Sequence, residues 1–138
     1  MRDPRPGLPW SGARVAERQR YGTYMASPAW FRRREAWLEA WTTAHGEPTC
    51  RACGIPWTLR GGDLHHRTYA RLGEERWTDL IPLCRTCHTE LHRLLEGSPG
   101  WRRMPREQGT DALIAVLRRH LIEAEREQGH VKVSTLTA

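Results

Sequence analysis

Cys50-x2-Cys53, the adjacent pair His65-His66 and the run Cys84-x2-Cys87-His88-x3-His92 put eight metal-capable side chains in one interleaved pattern. The pattern takes up all four cysteines of the chain and four of its seven histidines. Two Cys-x2-Cys loops, separated by residues 54–83, suit a tetrahedral Zn²⁺ held by four thiolates. Each short loop turns both sulfurs toward one point, and the second loop completes the tetrahedron. Four thiolates leave no open coordination position, so such an ion is structural. The spacer exceeds that of a zinc ribbon, roughly 15–20 residues, because it holds a hairpin and its connecting loop. Paired disulfides are the first alternative, and a reducing compartment disfavours them. A redox Cys-x2-Cys is the second, and it needs one such motif in a βαβ setting.

The histidines point to different chemistry. His88 and His92 stand one turn apart on an expected helix, so both imidazoles share a face and can share a metal. His65 and His66 are neighbours on an expected strand and project to opposite sides. Only one of them readily joins the helix pair, and the other is left free nearby. Three imidazoles around an ion with open positions form the layout of a hydrolytic centre. A free imidazole beside it is a natural general base near neutral pH. His45, His120 and His130 lie outside the pattern.

These groups need elements to hold them. Ser27 can cap a helix with Pro28 at its first position, and Trp30, Phe31, Trp37, Leu38 and Trp41 recur along it at helical spacing. The tryptophans read as core packing. Gly46 and Pro48 end the helix. Gly61-Gly62 reads as a turn, Asp63–His66 as a short strand, residues 67–78 as a polar loop, and Leu80–Leu83 as a second strand with Pro82 marking an edge. His88 opens a helix through about Glu96. Residues 97–109 read as a basic loop, after which Thr110 caps a C-terminal helix with Leu113, Ile114, Leu117 and Leu121 on one face. The fold class expected is α+β: a small ββα core with zinc-binding Cys-x2-Cys loops, flanked by an N-terminal and a C-terminal helix. Residues 1–26, rich in Pro, Gly and Arg, are expected to be a flexible basic arm. Residues 27–128 form a single domain with its metal core at 50–96, and residues 129–138 a loose tail.

At 138 residues the chain suits one domain. A net charge of +6, with all but one of the 22 cationic side chains arginine, favours a polyanionic partner, nucleic acid first. Codon bias alone accounts for the preference for arginine over lysine but not for the net charge. The charge is spread along the chain, so no basic patch stands out. No stretch approaches the roughly 20 apolar residues of a membrane span. MRDPRPGLPWSG has no apolar run of a secretory signal, and the expectation is an intracellular, cytoplasmic protein.

Leu64-His65-His66, Asp79-Leu80-Ile81-Pro82-Leu83-Cys84 and Cys87-His88 with His92 resemble the motif of HNH endonucleases, the ββα-metal fold, whose phage, prokaryotic and homing members often carry an added four-cysteine zinc site. The resemblance covers about residues 21–96. It implies a metal-dependent DNA endonuclease in which His65, His88 and His92 bind the catalytic divalent ion. The same resemblance makes His66 the general base that deprotonates water. It also implies products with 5′-phosphate and 3′-hydroxyl ends, and a phage, mobile-element or host-defence context. Imidazole ligands suit Zn²⁺, Ni²⁺, Mn²⁺ or Co²⁺ better than Mg²⁺, and the working ion stays open among these five. The family's middle residue is Asn, which ties down a loop so that a backbone carbonyl orients the base. Here it is Asp79, which accepts hydrogen bonds but cannot donate them. A carboxylate at that place is expected to hold part of the tether, and to favour the imidazolium form of His66 and so tune activity. Arg67, Arg85 and Arg93 flank the site as candidate phosphate clamps. Two other readings compete: a zinc-stabilised nucleic-acid-binding module without catalysis, and a thiol or redox enzyme. Target site, strand preference and oligomeric state are not legible.

Overall fold

The computed structural model describes residues 12–137, with side chains described for residues 16–128. The elements follow in the order α1 (Gly12–Met25), α2 (Pro28–His45), β1 (Gly62–His66), a 3₁₀ turn (Trp77–Asp79), β2 (Leu80–Cys84), α3 (Arg85–Glu96), α4 (Pro99–Arg103) and α5 (Arg106–Thr137). The architecture is α+β, with one small antiparallel sheet among helices. None of the described helices is long and apolar enough to cross a membrane.

Helix α2 starts as its residues dictate. The Ser27 hydroxyl accepts the Trp30 N–H at 3.2 Å and Pro28 occupies the first turn. Trp30 and Trp37 are buried, whereas Phe31 turns out to solvent and leaves the expected stripe. The hairpin pairs Leu64 with Pro82, His65 with Ile81 and His66 with Leu80. Its two faces have different partners, because side chains alternate along a strand. Leu64 and Leu80 join Trp30, Trp37 and Trp57 in one apolar cluster under α2. Leu83 joins Cys50, Ala52, Cys87, Leu91, Leu95, Leu113 and Ile114 in a second cluster with α3 and α5. The hairpin is thus a partition between two small cores. Gly62 must lack a side chain, since a Cβ there would lie 2.2 Å from Nε1 of the buried Trp57.

The flanking segments differ from expectation. The expected flexible arm 1–26 is helical over Gly12–Met25, and residues 1–11 lie outside the described residues. Its prolines all precede Gly12, so no proline in 12–25 interrupts a helix. Tyr24 also anchors that helix, with its ring on Trp30 and its hydroxyl on Glu75. The expected basic loop 97–109 contains α4, capped by Ser98, whose hydroxyl accepts the Trp101 N–H at 3.3 Å. Thr110 is not a cap, because α5 begins earlier, at Arg106 directly after Pro105. Gly109, the last residue of the expected loop, lies inside α5, where Leu95 comes within 3.0 Å of its Cβ position. Residues 129–138, expected as a loose tail, continue α5 to Thr137, with no proline beyond Pro105 to stop it. Helix α3 starts at Arg85 instead of His88, with Cys84 at its N-cap.

Candidate metal centres

Residues 48–57 fold back on themselves. The Cys50 N–H donates to Ile55 O at 2.8 Å, the Gly54 N–H to Cys50 O at 2.9 Å, and the Trp57 N–H to Pro48 O at 3.0 Å. The Arg51 N–H donates to Pro82 O at 2.9 Å, which docks this knuckle on β2 beside the second Cys-x2-Cys loop. The result is convergence of Cys50, Cys53, Cys84 and Cys87, whose sulfurs all lie within 4.8 Å of one another. All four are free thiols. The Cys53 and Cys87 N–H groups point at the Cys50 and Cys84 sulfurs, at 3.5 and 3.4 Å. Burial opposes ionisation of Cys50, but the N–H groups of Cys53, Cys84 and Ala52 outweigh it and draw the thiol down to about 7. Burial pushes Cys87 up. The cluster can hold a metal ion such as zinc, and it sits in the wall of the α3–α5 core.

A second group lies on the same side of the hairpin. His65, His88 and His92 each bring a ring nitrogen within 4.8 Å of the other two. His88 and His92 come from adjacent turns of α3, with Nε2 atoms 3.0 Å apart. Both can therefore reach one ion at about 2.0–2.1 Å. His65 is fully buried, and its Nε2 meets Thr110 Oγ1 at 2.9 Å. Its Nδ1 is buried with no partner. That orphaned nitrogen is the observation that tests the fit of a metal. With the proton on Nε2 and donated to Thr110, Nδ1 keeps a lone pair, and a cation would satisfy it. Burial drives the His65 pKa down to about 2, helped by the positive charge of Arg106 and by the neighbouring imidazoles. Burial also lowers His92, with His88 and Arg106 adding to the effect. Both shifts favour the neutral ring, the form that ligates metal. The His88 Nδ1 is 3.0 Å from Asp63 Oδ2, so a carboxylate orients that ring with Nε2 turned to His92. His92 Nδ1 lies 3.8 Å from Glu96 Oε1, an ion-pair distance too long for a hydrogen bond.

His66 is not part of this group. Strand alternation sends it to the α2 face, where it is 2% exposed and its ring lies 4.9 Å from that of Trp30. Tyr21 and Tyr69 cover it at 5.9 and 5.7 Å. Its Nε2 is 2.7 Å from Glu75 Oε2. Glu75 also accepts from the Tyr24 hydroxyl at 2.8 Å and lies 3.6 Å from Arg33 Nε. Burial alone would raise the Glu75 pKa, but the bonds from His66 and Tyr24 outweigh it and hold the group below the usual carboxylate range. The carboxylate beside His66 is therefore Glu75, and not Asp79 as the sequence reading had it.

Asp79 has another task. Its carboxylate takes both arms of Arg71, at 2.8 and 2.5 Å, and the Arg76 N–H at 2.9 Å. Its backbone carbonyl accepts the Arg67 N–H at 2.7 Å. It thus ties down the segment between His66 and the 3₁₀ turn, which carries Glu75. The three expected clamp arginines are mostly engaged. Arg67 pairs with Asp111 at 2.6 Å and Arg93 with Glu90 at 2.5 Å. Arg85 is largely exposed and 3.7 Å from Asp63 Oδ1. Asp63, Glu75 and Arg106 have no assigned role in the sequence reading, and Thr110 has one only as a helix cap. Asp63 alone had a signal, since a strand period of two puts it on the face of His65. Comparison of the chain with protein-family models, curated proteins and solved structures finds no match.

Proposed function

We propose that the chain is a metal-dependent endonuclease of the HNH type, with a ββα-metal core, that hydrolyses DNA phosphodiester bonds. One observation carries this reading: the buried, unpartnered Nδ1 of His65 belongs to a three-imidazole group distinct from the four-cysteine cluster. His65, His88 and His92 would hold the ion. Bound there, a divalent cation supplies Lewis acidity for a phosphate and for the departing oxygen. Zn²⁺ would fill the cysteine cluster.

The remaining residues have definable tasks. Glu75 is a carboxylate and accepts the Nε2 proton of His66. The lone pair of a neutral His66 ring then sits on Nδ1, the nitrogen that takes a proton from water. Glu75 also stabilises the imidazolium that results. Asp79 holds the segment that delivers Glu75, so the tether expected from the Asn position acts through a side-chain carboxylate and its arginine partners. The charge of +6 supports attraction to DNA.

The test is plasmid nicking with Mn²⁺, Ni²⁺, Co²⁺, Zn²⁺ or Mg²⁺, alongside a metal count. Two ions per chain and nicking are expected. His66→Ala should abolish nicking while metal content and DNA binding persist. Retained nicking in that variant would move the base elsewhere. The close packing of His66 against Trp30 favours a second reading, a zinc-stabilised nucleic-acid-binding module in which His66 is structural. Two bound ions and DNA binding, with no nicking under any of these cations, would select it.

A further inference from the structure

We propose that Arg106 is the residue that grips a phosphate beside the imidazole group, a role the sequence had offered to Arg67, Arg85 and Arg93. This rests on the nuclease reading for the identity of the substrate, though not for the existence of the anion site. Arg106 is the first residue of α5 and is half-buried. Its Nε donates to the backbone carbonyl of His66 at 2.7 Å, and its guanidinium lies 4.4 Å from the ring centre of Tyr69. These two contacts fix the plane of the fork on the residue next to His65. His66 directly follows His65 in β1, so the contact sets the guanidinium beside the strand that carries a member of the triad.

No described carboxylate is paired directly with Arg106, although Glu96 lies near enough to favour its charge. Among the described residues no carboxylate lies within ion-pair distance of Arg106, whereas Arg67 and Arg93 are held by Asp111 and Glu90. A half-buried guanidinium without a directly paired anion is unfavourable, and burial accordingly lowers its pKa. The Nε–H is spent on the His66 carbonyl, which leaves the four N–H groups of the two terminal nitrogens. That edge of the fork matches two oxygens of a phosphate. Arg67 and Arg93 would have to release a carboxylate to do the same, and Arg85 is largely exposed.

The test uses the full chain and three variants. Arg106→Gln keeps a donor for the His66 carbonyl and drops the charge. Arg106→Lys keeps the charge and loses the fork. Arg119→Met removes an exposed arginine further along α5. Binding of a short DNA duplex is measured across salt concentrations, with inorganic phosphate as competitor, and hydrolysis of bis(p-nitrophenyl) phosphate is measured with Mn²⁺ or Ni²⁺. For Arg106→Gln the salt slope should fall by about 1 and phosphate competition should weaken. Diester hydrolysis should drop on the order of 100-fold at unchanged metal content. Arg106→Lys should recover part of both, and Arg119→Met should change neither hydrolysis nor phosphate competition. An unchanged slope in Arg106→Gln overturns the proposal, as does a lysine variant no better than glutamine. If wild type hydrolyses neither DNA nor the diester, the nuclease reading falls while the salt slope and phosphate competition still decide the anion site.

Discussion

Thr110→Val is the sharpest probe of the imidazole group. Valine has the shape of threonine without the hydroxyl, so the substitution opens no cavity at a position with no exposure. It removes the acceptor 2.9 Å from His65 Nε2, on a ring that is itself 1% exposed. A buried N–H left without a partner costs about 1–3 kcal/mol, and the metal-free protein should lose that much stability. A further loss should show only with the metal bound. The Thr110 bond keeps the proton on Nε2 and the lone pair on Nδ1. Removing such a partner of a ligating histidine typically weakens metal affinity about 10–100-fold. At saturating metal that corresponds to about 1.4–2.8 kcal/mol of additional destabilisation. Titration with Co²⁺ separates the two centres, because four thiolates and three imidazoles give different absorption bands. Urea unfolding with and without Co²⁺ gives the two stability losses. The cysteine cluster should titrate as in wild type. Unchanged affinity at the imidazole group, with a stability change below about 0.5 kcal/mol, would refute the assignment of Nδ1 as the ligand atom.

Two further predictions concern the scaffold. The Asp79 carboxyl is held below its ordinary range first by Arg71, against burial, and then by the Arg76 N–H. A depressed acid contributes stability that is fully present above its unfolded value, about pH 4, and lost as pH falls through the folded value. Asp79→Asn should therefore cost about 1 kcal/mol at neutral pH and flatten the loss of stability below about pH 4, read from urea midpoints across pH. An acid limb identical to wild type would count against the tether. Gly62→Ala would place a Cβ 2.2 Å from Trp57 Nε1 and should cost about 1–3 kcal/mol in urea unfolding. A neutral result would mean that Trp57 does not sit over β1.

Local chemistry was legible where a residue acts on its immediate neighbours. Ser27-Pro28 announced α2, and the strand alternation of His65 and His66 followed from their adjacency. The same Ser-Pro signal at Ser98-Pro99 went unread because a dense run of arginine, proline and glycine around it looked like loop. Gly109 closes the expected loop yet lies inside α5, where glycine is unfavourable and the approach of Leu95 explains its use. The partners of the histidines were the illegible part. Thr110 is 45 residues from His65, and Glu75 lies in a loop whose path depends on Asp79, Arg71 and Arg33. No spacing rule predicts contacts of that kind, since tertiary packing alone brings the groups together.

The division of labour between His65 and His66 depends on register. A slip of one residue in β1 would carry His66 toward α3 and turn His65 under the tryptophans, since a strand's side chains alternate at every step. Three contacts at the start of β1 oppose such a slip. Arg34 donates to Gly62 O at 3.0 Å and to Leu59 O at 2.6 Å, which ties the strand's first residue to α2. Trp57 Nε1 donates to Asp63 O at 2.8 Å while its ring occupies the space a Cβ on residue 62 would need. A slip one way would bring Asp63, with its side chain, to that place, whereas a slip the other way would bring Gly61, which fits without a clash. Slippage in one direction is thus blocked by Trp57. In the other direction it would bring Leu64 out of its apolar cluster and His66 off Glu75. The tryptophan cluster under α2 thereby has a consequence for chemistry on the opposite face of the hairpin: it selects which of two adjacent imidazoles meets His88 and His92.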